Sequence, residues 1–209
     1  SYIETIKINF EHLSNLEIPY GKKIGLNVNL ENIVYEFILY LNKPKDKLLI
    51  IGTEPREYLQ DNRAEPYFEK YEWEFEQSVI FYNDPTYNID DSITAGFCIG
   101  TENNYYLEKI IKILEILINK IDARNENILF YGSSIGGFTS LLLSTYFKDS
   151  MALSDNPKLY AYDFKVMEIS LNGLESIKDH CFSDMSTDRF IEKFNYRFSF
   201  IETMKQENY

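Results

Sequence analysis

The chain has 209 residues, a formal net charge of −12, two cysteines and two histidines. One sizeable core fits in that length without a second domain, so the expectation is a single domain over residues 1–209. The acidic excess excludes a nucleic-acid partner, because neutralising phosphates takes a basic face that this composition does not supply.

Cys98 and Cys181 stand in dissimilar surroundings and show no metal-ligand spacing. They point to reduced thiols in a cytoplasmic protein rather than to a disulfide framework or a metal centre. No apolar run is long enough to span a membrane, and the first residues lack a basic-then-apolar leader pattern. Internal repeats, low-complexity tracts and linkers are absent from the sequence.

In chain order, "KIGLNVNL" alternates Ile24, Leu26, Val28 and Leu30, and "YEFILYL" alternates Tyr35, Phe37, Leu39 and Leu41. Period two predicts strands with one buried face. A turn at Asn42-Lys43-Pro44-Lys45-Asp46 follows, so these strands and the next are expected to form an antiparallel meander, with residues 1–46 as an antiparallel start. From 47 onward the pattern changes. "KLLIIGTE" (47–54) and "SVIFYND" (78–84) are short continuous apolar runs, as in strands buried on both faces. Residues 103–122 carry Leu107, Ile110, Ile111, Leu114, Leu117 and Ile118 at helical spacing, an amphipathic helix.

"NILFY" predicts a third buried strand and Gly137 to Phe147 a largely apolar helix. "SMALSDNP" (150–157) predicts a fourth strand ending in a polar turn, and helical stretches follow near 187–195 and 197–206. Alternating strands and helices imply an α/β fold, with residues 47–209 forming a parallel sheet joined by right-handed crossovers and covered by helices on both faces.

Between the third strand and its helix lies Gly132-Ser133-Ser134-Ile135-Gly136-Gly137. Gly132-x-Ser134-x-Gly136 in a strand-to-helix context is the nucleophile-elbow pattern, with Ser134 as the nucleophile. A chain reversing that sharply strains the serine backbone and needs small neighbours at Gly132, Gly136 and Gly137. The Ile135 N–H at the helix start is one oxyanion-hole candidate, and the loop at Gly52-Thr53 offers a second. The competing structural reading is a glycine-rich turn in which Ser134 caps the helix.

A nucleophilic serine needs a base. His180 is the single histidine after Ser134, in a polar segment where a surface role is the plainer reading; His12 lies before the motif. Acid candidates are Asp155, Asp179, Asp184 and Asp188. The interval from Asp155 to His180 leaves no room for the strand and helix that ordinarily separate acid from histidine. The expectation is therefore that the sequence in hand lacks the C-terminal strands of a complete sheet.

"FYGSSIGGFTSLLLSTYF", "ALSDNPKLYAYDF" and "GFCIGTENNYYLEKIIKIL" together resemble the α/β-hydrolase-like proteins of bacterial capsule and surface-glycan loci. These include capsular polysaccharide O-acetyltransferases and the acetyltransferase component of the accessory secretion system. In that group an Asn-Pro or Asn-Ala-Pro turn often continues with Gln; here Asn156-Pro157 is followed by Lys158. "FYNDPTY" also resembles an Asp-Pro segment ahead of the elbow in some relatives. The resemblance spans roughly residues 47–206.

It implies an α/β-hydrolase-like three-layer sandwich with a Ser–Asp–His acyl-transfer site on Ser134. The family's acid and histidine sit in a late strand and loop without counterparts before Tyr209. The implied function is a serine O-acyltransferase or esterase acting on a surface polysaccharide, in peripheral association with a capsule or secretion complex. No bound cofactor is expected. Acetyl-CoA is the acyl donor the resemblance implies, although no phosphate-binding loop or basic cluster stands in the sequence. The alternative is a non-catalytic hydrolase-like subunit that binds a glycan or a partner protein, with Tyr71, Tyr82, Tyr87, Tyr105 and Tyr106 as candidate stacking residues.

Overall fold

The computed structural model describes residues 3–43, 46–52, 75–156, 159 and 175–206. Seven strands form one mixed sheet in the order β1-β2-β3-β5-β4-β6-β7. They are β1 (Thr5–Asn9), β2 (Lys23–Leu30), β3 (Ile33–Tyr40), β4 (Leu48–Ile51), β5 (Ser78–Tyr82), β6 (Ile128–Ser133) and β7 (Met151–Asp155). Strands β2 and β3 join through a two-residue turn in which Glu31 and Asn32 both take positive φ, the hairpin geometry that matches strand twist.

The α/β class stands, and the strand pairing differs from the expected meander in two ways. Strand β3 pairs antiparallel with β5 rather than with β4, and β1 pairs parallel with β2. All four residues of β4 are buried, and it lies between β5 and β6, parallel to both. Strand β5 is buried along its whole length as well, as suits a strand inside the sheet, and it stands between β3 and β4. His12 lies in a 3-10 turn, Phe10–Asn15, not in a strand.

Helix α1 (Tyr106–Ile121) buries its entire predicted stripe. Helix α2 (Ser134–Tyr146) starts earlier than its periodicity suggests, because the elbow residues are already helical. Helical residues 175–181 (α3), α4 (Thr187–Phe194) and α5 (Phe200–Gln206) complete the described helices. Their apolar side chains join one core with Leu26, Phe37, Leu39, Ile50, Ile80 and Phe130 of the sheet. On the opposite face Ile38, Leu49, Ile51, Val79 and Phe81 are buried. The second helical layer expected over them has no counterpart among the described residues.

Arg197, in the turn between α4 and α5, is buried. Its guanidinium donates to the carbonyls of Ile99, Thr101 and Glu102 at 3.3, 2.7 and 3.4 Å. The rings of Tyr105 and Phe194 flank it at 4.8 and 4.6 Å. The cation is thus satisfied by main-chain oxygens and π faces, which fasten the loop after β5 to the last helices.

Candidate active site

Strand β6 delivers Gly132 and Ser133 to the carboxyl end of the sheet, and α2 begins at Ser134. Ser133 holds the N-cap position with extended φ and ψ of −107° and 147° and makes no capping hydrogen bond. Ser134 is half-buried and has φ of +51°. A non-glycine residue in the left-handed region costs about 1–3 kcal/mol and persists only where its surroundings impose it. Here they do.

A Cβ at Gly132 would meet the carbonyl carbon of Gly136 at 2.2 Å and the nitrogen of Gly137 at 2.7 Å. At Gly137 it would meet Ser154 Oγ of β7 at 2.1 Å. At Gly52 it would meet Tyr82 Oη at 2.7 Å and Gly136 Cα at 3.2 Å. Gly136 therefore lends backbone atoms to two of these contacts. The glycines let strand and helix approach to main-chain contact, and the turn between them is compressed onto Ser134.

Beneath the turn the buried Tyr82 hydroxyl donates to Thr139 Oγ1 at 2.8 Å. The Thr139 hydroxyl in turn lies 3.1 Å from the Gly136 carbonyl and 3.3 Å from that of Ile135. A side chain from β5 thus braces the first turn of α2 through one threonine. Burial pushes the Tyr82 phenol well above its ordinary pKa, so it stays a neutral donor.

The Ile135 side chain is buried in the core while its N–H belongs to the first turn of α2, where backbone donors lack intrahelical partners. The Gly52 N–H donates to the Tyr131 carbonyl at 3.1 Å. It is occupied in the sheet. Thr53 lies outside the described residues, as do Pro157, Lys158 and Tyr71.

Among the described residues, none of the remaining predicted partners makes a hydrogen bond to Ser134. His180 is in α3, with Nδ1 at 2.9 Å from the Ser176 carbonyl and Nε2 at 3.5 Å from Asp90 Oδ2. Neither contact runs to Ser134. Asp155 ends β7 in register with Ser133 and is exposed. Asp179 pairs with Lys178 at 2.7 Å. Asp184 and Asp188 are exposed. Tyr82, Tyr87, Tyr105 and Tyr106 are all buried, so the ring faces proposed for sugar stacking are committed to the core.

The sequence marks Asn83-Asp84-Pro85 as a strand end and as an Asp-Pro segment resembling one in some relatives, without a role for Asp84. In the structure Asp84 is fully buried at that end, accepting from the Thr86 N–H at 2.8 Å and the Cys98 N–H at 2.7 Å. Burial raises its carboxyl above the ordinary value, and these bonds oppose the rise in part. It gathers a loop in which Phe97 and Cys98 both take positive φ. The Phe97 ring meets Phe138 of α2 edge-on at 5.5 Å. An acidic residue directly before proline at a strand end, with Gly96 and Gly100 downstream, is the signal that pointed there.

Sheet order, glycine-lined strand-to-helix turn and strained serine define an α/β-hydrolase-like fold. The comparisons with solved structures agree. The chain is similar to the capsule O-acetyltransferase of Neisseria meningitidis serogroup A, with 17% identity and a TM-score of 0.54, over 84% of this chain and 68% of that one. It is similar to the glycosylation-associated Gap123 complex from Streptococcus agalactiae, with 16% identity and a TM-score of 0.54, over 87% of this chain and 34% of that one. Acetyl xylan esterase 1 from Thermoanaerobacterium sp. matches with 10% identity and a TM-score of 0.57, over 91% of this chain and 66% of that one. No protein-family model matches the sequence, and no curated protein matches it. No group that could hold a metal ion occurs among the described residues, and none of their helices is long and apolar enough to cross a membrane.

Proposed function

We propose that the protein is a serine-dependent acyltransferase or esterase that acts on a bacterial surface polysaccharide through an acyl-enzyme on Ser134. The observation that carries this reading is the φ of +51° at Ser134, where strand meets helix among glycines that admit no side chain. Strain of that kind at a hydroxyl-bearing residue is kept where presenting the hydroxyl matters more than stability. The similar folds of a capsule O-acetyltransferase and an acetyl xylan esterase support acyl chemistry on a glycan. Likeness to the Gap123 complex supports peripheral association with a capsule or secretion complex. The two buried, unpaired cysteines accord with the proposed cytoplasmic location.

In this mechanism Ser134 Oγ attacks the acyl carbonyl carbon and loses its proton to a base. The oxyanion accepts from the Ile135 and Thr53 N–H groups, Gly52 keeping the approach open. The donor's thiol or alcohol departs with the proton, leaving an acyl ester on Ser134. A sugar hydroxyl or water then attacks that ester, takes the acyl group and returns a proton to Oγ. Acetyl-CoA enters as the donor substrate implied by the resemblance. His180 is the base candidate that the sequence offers; its Nδ1 lies on the Ser176 carbonyl and its Nε2 faces Asp90.

A fluorophosphonate probe tests the assignment on the full-length protein. The wild type is expected to be labelled and Ser134→Ala to stay unlabelled. Equal labelling of both removes Ser134 from the mechanism. Failure of the wild type to label or to turn over acetyl esters favours the non-catalytic binding subunit.

A further inference from the structure

A groove of about 340 Å³ lies near the β1 edge of the sheet, lined by Lys7, Ile8, Asn9, Asn27, Asn29 and Val34. Strand register explains its polarity. Lys7 pairs with Asn27 across β1 and β2, and Asn9 with Asn29, while Asn29 faces Val34 on β3. Three asparagines thus share one face of two paired strands, although asparagine is depleted in strands. Their gain does not come from packing: Asn9 and Asn29 are exposed and Asn27 is half-buried.

The donor and acceptor inventory is specific. Asn29 Nδ2 donates to Asn9 Oδ1 at 3.1 Å, which leaves the Asn29 oxygen and the Asn9 nitrogen without a partner among the described residues. The Asn27 amide and the Lys7 ammonium have no partner among the described residues. Val34, 43% exposed, adds an apolar surface beside them. The groove carries no aromatic or arginine anchor of the sort that dominates protein interfaces. One lysine in an acidic chain is no nucleic-acid site. Paired amides beside a small apolar surface suit a ligand whose hydroxyls donate and accept while its C–H faces need cover.

We propose that this groove binds an oligosaccharide segment, a site separate from the elbow. Strands β1 and β2 run in the same direction as β6, so Asn9, Asn29 and Ser134 lie at the same end of the sheet. Four strand spacings separate β2 from β6, about 19 Å at about 4.8 Å each. Binding at the groove needs no chemistry at Ser134 and stands without the acyl-transfer reading.

The test is NMR titration of full-length, isotope-labelled Ser134→Ala protein with maltohexaose, chitohexaose and xylohexaose. At least one probe is expected to give saturable shifts at Lys7, Asn9, Asn27, Asn29 and Val34. Changing Asn27 and Asn29 together to threonine, a residue strands favour, is expected to weaken that binding about tenfold or more while the remaining spectrum stays native. Absence of saturable shifts with all three probes up to about 10 mM overturns the proposal. So do shifts centred elsewhere, or undiminished binding by a natively folded double variant. If the double variant does not fold, Asn27→Asp alone, which keeps shape and removes a donor that the groove offers, takes its place with the same expected loss.

Discussion

Replacing Ser134 by alanine and, separately, by glycine measures the strain in the elbow without any substrate. Both variants lack the hydroxyl, so their difference reports backbone conformation. In ordinary helical geometry alanine is the more stable by about 1 kcal/mol. At the observed φ of +51° the alanine Cβ costs about 1–2 kcal/mol. Glycine's larger loss of chain entropy, about 0.5–1 kcal/mol, offsets part of that advantage. Ser134→Gly is therefore expected to exceed Ser134→Ala by about 0.5–1 kcal/mol, reversing the usual helical order. The assay is urea unfolding with the slope unchanged and the midpoint raised, or a Tm higher by about 1–4 °C for a chain of this size. An alanine variant as stable as the glycine variant, or more so, would falsify the claim that this serine is held strained.

Two further outcomes follow from the same region. Gly132→Ala drives a methyl to within 2.2 Å of Gly136 backbone, which cannot rotate away. It should cost about 3 kcal/mol or more and abolish fluorophosphonate labelling; a midpoint close to wild type would show that strand and helix are not in main-chain contact. Asp84 has a folded-state pKa above its ordinary 3.8, so the native state holds its proton more tightly than the unfolded chain does. Its contribution to stability is greatest below that value and is lost as pH rises through the folded pKa. Wild-type unfolding free energy should fall relative to Asp84→Asn across that window, and parallel profiles would rule the linkage out.

The elbow was legible because its sterics are written in consecutive residues. Gly132 and Gly137 are where they are because side chains there would strike backbone or Ser154. The stripe of α1 and the alternation in β2 and β3 were legible for the same local reason. Period two says which face a residue occupies and nothing about which strand lies alongside, so the placing of β5 between β3 and β4 was not readable. The occupied N–H of Gly52 depends on the register of β4 against β6, and that is a tertiary fact. Asp84 finds its second partner at Cys98 and His180 its carboxylate at Asp90; neither pairing has a sequence motif. Tyr82, Tyr87, Tyr105 and Tyr106, which read as sugar-stacking candidates, are core residues, because their hydroxyls do not stop a ring from being buried.

The anchoring of Ile99, Thr101 and Glu102 by Arg197 spans 95–98 positions of sequence. As the chain leaves the ribosome, the loop that leans on the elbow helix is made well before the residue that fastens it. Strands β4, β5 and β6 can pair while that loop is still unsecured, and the surroundings of Ser134 then take their final shape as one of the last events of folding. Such a long closure slows the step that completes the site, so competence should lag behind formation of the sheet.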